Sequence, residues 1–316
     1  MRVLVTGGSG FVGAHVVRVF DAHGAELAAP RHAELDVTNA QAVRDGVVAF
    51  EPDAIVHCAI LNDFRALYAD RRAGWGAYVG ATRTLVDAAN DAGARMLLVS
   101  TDWVFDGTQS LATEQTPPNP VNLYGFLKAA SELVVTERAY RGSIARLAAV
   151  QGGANGGAGA AARGDGAGRT GDGAAPPREQ DAGFGYFVAA LVQALRNGER
   201  FGVWESDSIN MVATPTLATD AAELMWRILE RDLDGVFHCC GGEAVDRRTL
   251  AMRAAQIFGL DPTLLDLRVK PPEGAVLGVI PYDTSLDAGR TAAALDVEPP
   301  DLTEMLRRMC LELTPA

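Results

Sequence analysis

The segment Val3-Leu4-Val5-Thr6-Gly7-Gly8-Ser9-Gly10-Phe11-Val12-Gly13 constrains the fold of this chain more than any other. A short apolar run of strand length passes through a glycine turn directly into a helical pattern. Gly7, Gly10 and Gly13 carry the spacing G-x-x-G-x-x-G. The first glycine permits a tight turn, the second lets backbone N–H groups approach a pyrophosphate, and the third lets the helix lie close on its strand. A glycine triplet alone is a weak signal, and a plain glycine-rich turn is its bland reading. Between a first strand and a first helix it points to a dinucleotide site.

The rest of the first half repeats that alternation. Arg2–Thr6, 26–30, 54–58, 96–100 and 142–147 read as strands. Helical patterns at 11–23, 40–50, a long stretch ending near 92, and 124–138 separate them. Strands alternating with helices imply βαβ units and a parallel sheet buried on both faces. The expected fold class is therefore α/β, a Rossmann-type doubly wound parallel sheet. Beyond residue 183 the elements are shorter and more mixed, which implies a smaller α/β domain at the C-terminal end. The expected division is 1–150, with parts of 200–240, for the dinucleotide domain and 183–316 mainly for a substrate domain. Between them, 152–182 is an insertion rich in Gly and Ala that buries too little apolar surface to offset its ordering entropy. It reads as a flexible loop, with a lid over a ligand as the sharper alternative.

Lysine usage adds a chemical constraint. The chain has 28 Lys+Arg, of which only Lys128 and Lys270 are lysine. Lys128 follows Tyr124 by four residues, in Tyr124-Gly125-Phe126-Leu127-Lys128. On a helix this spacing puts both side chains on one face. An ammonium there favours the phenolate and is expected to lower the tyrosine pKa from about 10. The bland reading is a surface helix with an accidental spacing. Thr101 closes the run Leu98-Val99-Ser100-Thr101, at the carboxyl end of a parallel strand, where open α/β sheets bind ligands. Thr101, Tyr124 and Lys128 together form an acid/base constellation, although a lone strand-end hydroxyl would mean nothing.

Charge and cysteine content exclude other classes. A net charge of −12 argues against nucleic acid or an anionic membrane as the main partner. Cys58, Cys239, Cys240 and Cys310 show no metal-ligand spacing, and a disulfide framework is not expected. No apolar run approaches the ~18 residues of a membrane span. The N-terminus enters a strand without a basic leader, so a cytoplasmic protein is expected.

These motifs occur together with Leu35-Asp36-Val37-Thr38, Val56-His57-Cys58-Ala59, Ser100 to Gly107, Asn119 to Lys128, Thr214-Pro215-Thr216 and Ser285-Leu286-Asp287. In that order the chain resembles the extended short-chain dehydrogenase/reductases, and within them the dTDP-4-dehydrorhamnose reductases and related sugar-nucleotide enzymes. The resemblance implies an oxidoreductase that reduces a keto substrate, a nucleotide-linked 4-keto-6-deoxy sugar. It implies Thr101 on the substrate oxygen, Tyr124 as proton donor, and Lys128 on the nicotinamide ribose. Gly7, Ser9, Gly10, Phe11, Val12 and Gly13 would hold the pyrophosphate. Asp36 and Val37 would flank the adenine, and Cys58 and Ala59 the nicotinamide-side ribose. Asp102, Trp103 and Phe105 would face the substrate. Asp36 also reads as an N-cap of the helix that follows it. A homodimer is expected at the level of the family.

Arg31 stands where a dinucleotide fold often has an acidic residue at the end of its second strand, and it could pair with a 2′-phosphate. NADPH is therefore the expected cofactor. Glu34 and a solvent-facing Arg31 leave NADH open. The departures from the family pattern cluster on the substrate side. Leu147-Ala148-Ala149-Val150-Gln151-Gly152 lacks the aromatics expected after Arg146, Ile280-Pro281 replaces Arg-Pro, and Asn210-Met211 replaces Asp-Gln. Tyr78 stands at the position of a helix asparagine that supports the lysine. Two alternatives share the fold: a sugar-nucleotide epimerase or dehydratase with retained NAD, and a non-catalytic regulatory subunit of the kind associated with methionine adenosyltransferase.

Overall fold

The computed structural model describes residues 1–61, 63–153 and 181–313. In chain order the first half comprises β1 (Arg2–Thr6), α1 (Phe11–Ala22), β2 (Glu26–Ala28), α2 (Ala40–Phe50), β3 (Ala54–His57), α3 (Phe64–Ala69), α4 (Arg71–Trp75), α5 (Ala81–Ala92), β4 (Arg95–Thr101), α6 (Leu123–Arg138), β5 (Gly142–Leu147) and β6 (Val150–Gln151). The second half continues with α7 (Phe187–Arg196), β7 (Phe201–Trp204), β8 (Val212–Ala213), β9 (Thr216–Leu217), α8 (Ala218–Glu230), β10 (Gly235–His238), β11 (Val245–Asp246), α9 (Arg247–Ile257), β12 (Leu265–Val269), α10 (Gly289–Leu295) and α11 (Leu302–Leu313). A single π-helical turn, Gly76–Gly80, joins α4 to α5.

The central sheet has the order β10-β5-β4-β3-β1-β2, parallel throughout. The expected Rossmann-type parallel sheet is therefore the observed one. Alternation along the strands fills two cores. Val3, Val5, Val56, Leu97 and Val99 face α1 and α8, meeting Val16, Phe20, Met225 and Trp226. Leu4, Ile55, Met96, Leu98 and Ile144 face α2 and α5, meeting Val43, Val47, Leu85 and Val86. Burial on both faces is why these strands read as unbroken apolar runs.

Sheet order reverses between β1 and β3, and the loops at their carboxyl ends flank the crevice such a switch point creates. The C-terminal elements form a third core, where Leu191 and Leu195 of α7, Leu250 and Ala254 of α9, and Met305 and Met309 of α11 meet Phe201 and Val203. Two helices of this half start after short non-helical leads, α7 at Phe187 and α10 at Gly289. The residues ahead of them are used for side-chain contacts instead. Most of the 152–182 insertion lies outside the described residues. No described helix is long and apolar enough to cross a membrane.

Candidate active site

The glycine loop is tied by its own backbone. Gly10 N–H donates to Gly7 O at 2.9 Å, and Gly7 has a φ of 71°. A Cβ on Gly7 would lie 2.6 Å from the Ala59 nitrogen, and one on Gly13 would lie 2.1 Å from Gly7 O. Both distances are prohibitive, so α1 and the end of β3 close on the loop only because these residues are glycine. Gly10 caps α1 without any side-chain hydrogen bond. The positive end of the helix, at the first-turn N–H groups of Val12 and Gly13, thus lies at the loop, which suits a phosphate. This backbone donor set fits a dinucleotide pyrophosphate.

Around the expected adenine end, Arg31 is exposed and its backbone N–H donates to Glu34 Oε2 at 2.8 Å. Its guanidinium makes no ion pair among the described residues. Asp36 does not cap α2. Its Oδ1 accepts from Thr38 N at 2.9 Å and Thr38 Oγ1 at 2.7 Å, and these bonds hold the carboxyl below its ordinary range. Asn39 is the cap instead, accepting from the N–H groups of Gln41 and Ala42. Val37 is half-buried beside this end, and Ala59 is half-buried against Gly7 of the glycine loop. Cys58 is half-buried too, and burial pushes its thiol up to about 12, which makes it a lining group and not a nucleophile.

Thr101 ends β4, and Tyr124 and Lys128 lie in the first two turns of α6. The approach of α6 to Thr101 depends on Gly125, where a Cβ would come within 2.1 Å of Trp103 O. Asn122 starts the helix, its side chain accepting from Gly125 N at 2.8 Å while its amide donates to Val279 O at 3.1 Å. The Tyr124 phenol is hydrogen-bonded to Thr101, so the structure brings these two expected residues together. Lys128 is buried, donates to Val99 O at 2.8 Å, and has its Nζ 5.6 Å from the centre of the Tyr78 ring. Tyr78 sits in the π-helical turn and donates its hydroxyl to Leu61 O at 3.0 Å. An aromatic face therefore supports the lysine where the resemblance placed an asparagine.

The expectation that Lys128 depresses the Tyr124 pKa is not met. Burial dominates and pushes Tyr124 up to about 12, and the neighbouring Asp102 carboxylate adds to the rise. Burial also lowers Lys128 to about 8. The phenol is consequently held in its protonated form near neutral pH. Phe64, Tyr78 and Trp103 enclose its ring at 5.4, 6.1 and 6.0 Å, each close to edge-on. Phe64 was not marked by any sequence motif, and only its place at the start of α3 brings it here.

The substrate-side expectations divide. Trp103 lines the site, but Phe105 is buried behind it, 5.1 Å from the Arg146 guanidinium and 6.3 Å from His238. Phe105 belongs to the core because the turn at Asp102–Val104 points it inward. Asp102 is also buried, accepting from Thr101 Oγ1 at 2.9 Å and Thr284 Oγ1 at 2.5 Å. Thr284 is a further contributor that sequence reasoning missed, and Asn210, noted there only as a departure from the family pattern, reaches the site through Thr284. Ile280, which stands where the family pattern has an arginine, packs with Ile209 and Met211 in an apolar cluster that reaches Trp103. Beyond that cluster a cavity of about 630 Å³ is lined by Glu205, Asp207, Met211, Lys270 and Tyr282 among others. Among the described residues no group of side chains could hold a metal ion.

Residues 1–161 match the family model described as the RmlD substrate binding domain. The rat (Rattus norvegicus) methionine adenosyltransferase 2 subunit beta is 32% identical over 158 residues, which cover 48% of this chain and 47% of that protein. In that match the chain spans about half the length of its curated relative. The dTDP-4-dehydrorhamnose reductase of Streptomyces griseus is 27% identical over 93% of this chain and 88% of its own length. Among solved structures, dTDP-4-dehydrorhamnose reductase from Bacillus anthracis str. Ames in complex with NADP superposes with a TM-score of 0.80, at 20% identity, over 98% of this chain and 99% of that one. With half of its length matched to one model and its sheet shared with those enzymes, the chain belongs to the RmlD substrate-binding-domain family.

Proposed function

We propose that the protein is an NADPH-dependent ketoreductase acting on a nucleotide-linked 4-keto-6-deoxy sugar. The observation that carries the reading is the gathering of Thr101, Tyr124 and Lys128 at the carboxyl end of β4, next to an uncapped glycine loop at the end of β1. A relative covering most of both chains is named a reductase of such a sugar, and a solved structure of the same fold is described with NADP.

The bound dinucleotide would supply hydride, and the protein has to supply the proton and the alignment. Tyr124 is suited to give that proton, because burial keeps its phenol protonated near neutral pH. Proton donation from Tyr124 Oη and hydride addition at the carbonyl carbon together convert a ketone into an alcohol. Lys128, one helical turn after Tyr124 and fixed by Val99 O, would bring a positive charge to the same helix face as the phenolate that remains. Phe64 and Trp103 keep water from the phenol and offer a flat apolar wall to a sugar ring.

The test is NADPH oxidation measured against a panel of nucleotide-linked keto sugars and free ketones. Turnover of a nucleotide-linked ketone supports the full reading. Turnover of free ketones alone removes the nucleotide and leaves the reductase. A second reading, an NADP-binding regulatory subunit, is favoured by the 32% identity to the rat subunit. Binding of NADPH with no oxidation across the whole panel would replace the first reading by the second.

A further inference from the structure

A buried carboxyl lies next to the reacting phenol. Asp102 is 5% exposed and, among the described residues, makes no ion pair. Its partners are the hydroxyls of Thr101 and Thr284 and the N–H groups of Asp102 itself and Trp103. The titratable groups facing it are Tyr124 of α6 and Cys240 after β10, and a charge on Asp102 opposes ionisation of both.

A hydroxyl has one proton to give and two lone pairs. Thr101 gives its proton to Asp102 Oδ1 at 2.9 Å and accepts from Trp103 N at 3.2 Å, which leaves one lone pair for Tyr124. In that state Thr101 has no proton for a substrate carbonyl. Thr284 has the same problem of supply. Its single proton faces Asp102 Oδ2 at 2.5 Å and Asn210 Oδ1 at 3.3 Å. The Asn210 amide nitrogen donates to the carbonyls of Val212, Pro281 and Tyr282, which fixes its oxygen toward Thr284. With Asp102 ionised, Thr284 serves the carboxylate and Asn210 Oδ1 faces a bare hydroxyl oxygen. With Asp102 protonated, the acid donates to Thr284, Thr284 donates to Asn210, and every atom in the chain is paired.

We propose that Asp102 is a positioning residue whose protonation decides what Thr101 does: ionised, it captures the Thr101 proton; neutral, it releases that proton toward the substrate oxygen and the Tyr124 phenolate. The inference rests on the reductase reading. A hydrogen bond to a carboxylate is about twice as strong as one between neutral groups, so ionisation holds the Thr101 proton tightly. The same charge opposes the phenolate that proton transfer creates. Burial raises Asp102 to about 6, so the change falls within the working range of the protein. The sign follows: the neutral acid is the active form, and the rate falls as pH rises through about 6. Because Thr284 and Asn210 belong to the C-terminal half, the seating of those segments is coupled to the proton.

The experiment measures kcat against pH for the wild type, Asp102→Asn and Thr284→Val on a ketone accepted by the wild type. In parallel, carbon NMR follows the aspartate carboxyls of the same proteins without substrate. Asparagine mimics the neutral acid, accepting from Thr101 and donating to Thr284. The wild-type kcat should fall about fivefold through the transition, while Asp102→Asn should lack that limb and keep the higher value at neutral pH. Thr284→Val removes a bond that lowers Asp102, so its limb should move to higher pH, and the NMR midpoint with it. An unchanged limb in Asp102→Asn would overturn the proposal, as would a raised KM with unchanged kcat, which would make Asp102 a substrate ligand. Absence of turnover by the wild type, with the Asp102 titration still present by NMR, would instead be a failure of the reductase reading.

Discussion

At the glycine loop the groups that shape the site are backbone at the ends of regular elements: Gly7 O after β1, the Ala59 nitrogen after β3 and the first turn of α1. At the substrate end the shaping groups are side chains meeting over long stretches of chain, Thr284 reaching Asp102 across 182 positions and Asn122 reaching Val279 O across 157. The first construction tolerates almost no change of residue type, because there is no room. The second can exchange one polar or apolar side chain for another and so change what is bound. That contrast accounts for an intact dinucleotide loop beside a substrate side in which Ile280 and Met211 form an apolar cluster.

The largest expected effect lies in the rigid half. Glu132 of α6 is buried with Arg146 of β5, accepting from its Nη2 at 2.7 Å and Nε at 3.0 Å, and from Ser100 Oγ at 2.5 Å. Glu132→Ala strands a buried guanidinium and should cost about 3–5 kcal/mol in denaturant unfolding. An exposed pair in the other half, Arg200 with Asp266, should cost under about 1 kcal/mol when Arg200→Ala removes it. Equal losses at the two sites would break the comparison.

Gly13→Ala forces a methyl to within 2.1 Å of Gly7 O, and something in the backbone must shift. NADPH affinity, read by fluorescence titration, should fall at least about tenfold, with any fold loss seen separately by circular dichroism. Wild-type affinity would contradict the view that the loop has no slack.

Lys128 tests the sign of a burial effect. Its pKa is lowered to about 8 from 10.5, so the unfolded chain binds the proton more strongly. The resulting destabilisation is fully present below about pH 8 and disappears as pH rises past the unfolded value. Lys128→Met should therefore raise stability at pH 7 by about 1–2 kcal/mol, after loss of the bond to Val99 O, while reducing turnover. Arg31→Ala should produce an approximately tenfold loss of NADPH affinity with NADH binding unchanged. Parallel losses for both cofactors would remove Arg31 from the 2′-phosphate.

The sequence made the rigid half legible for the same reason that it is rigid. Strand–turn–helix spacing fixes Gly7, Gly10 and Gly13, and one helical turn fixes Tyr124 relative to Lys128. The Tyr124 pKa was not legible, because a spacing says which groups share a face and not how deeply they are buried. Phe105 was assigned to the substrate by its place in a motif, yet the 3₁₀ turn before it directs it into the core. Phe64 and Thr284 carried no local signal, and Asn210 was marked only as a departure from the family pattern. Their roles come from tertiary contacts that no short pattern encodes, and the cap at Asn39 displaced Asp36 by three residues within a loop where either could serve.

The central claim is that Tyr124 delivers a proton to a ketone beside a bound NADPH. The direct measurement is NADPH oxidation by Tyr124→Phe on a ketone accepted by the wild type, with NADPH affinity determined on the same samples. Removing a general acid costs about 10²–10⁴-fold, so kcat should fall by that factor while affinity for NADPH stays within a factor of about two. Turnover at the wild-type rate would contradict the account, since the phenol would then not be the proton donor.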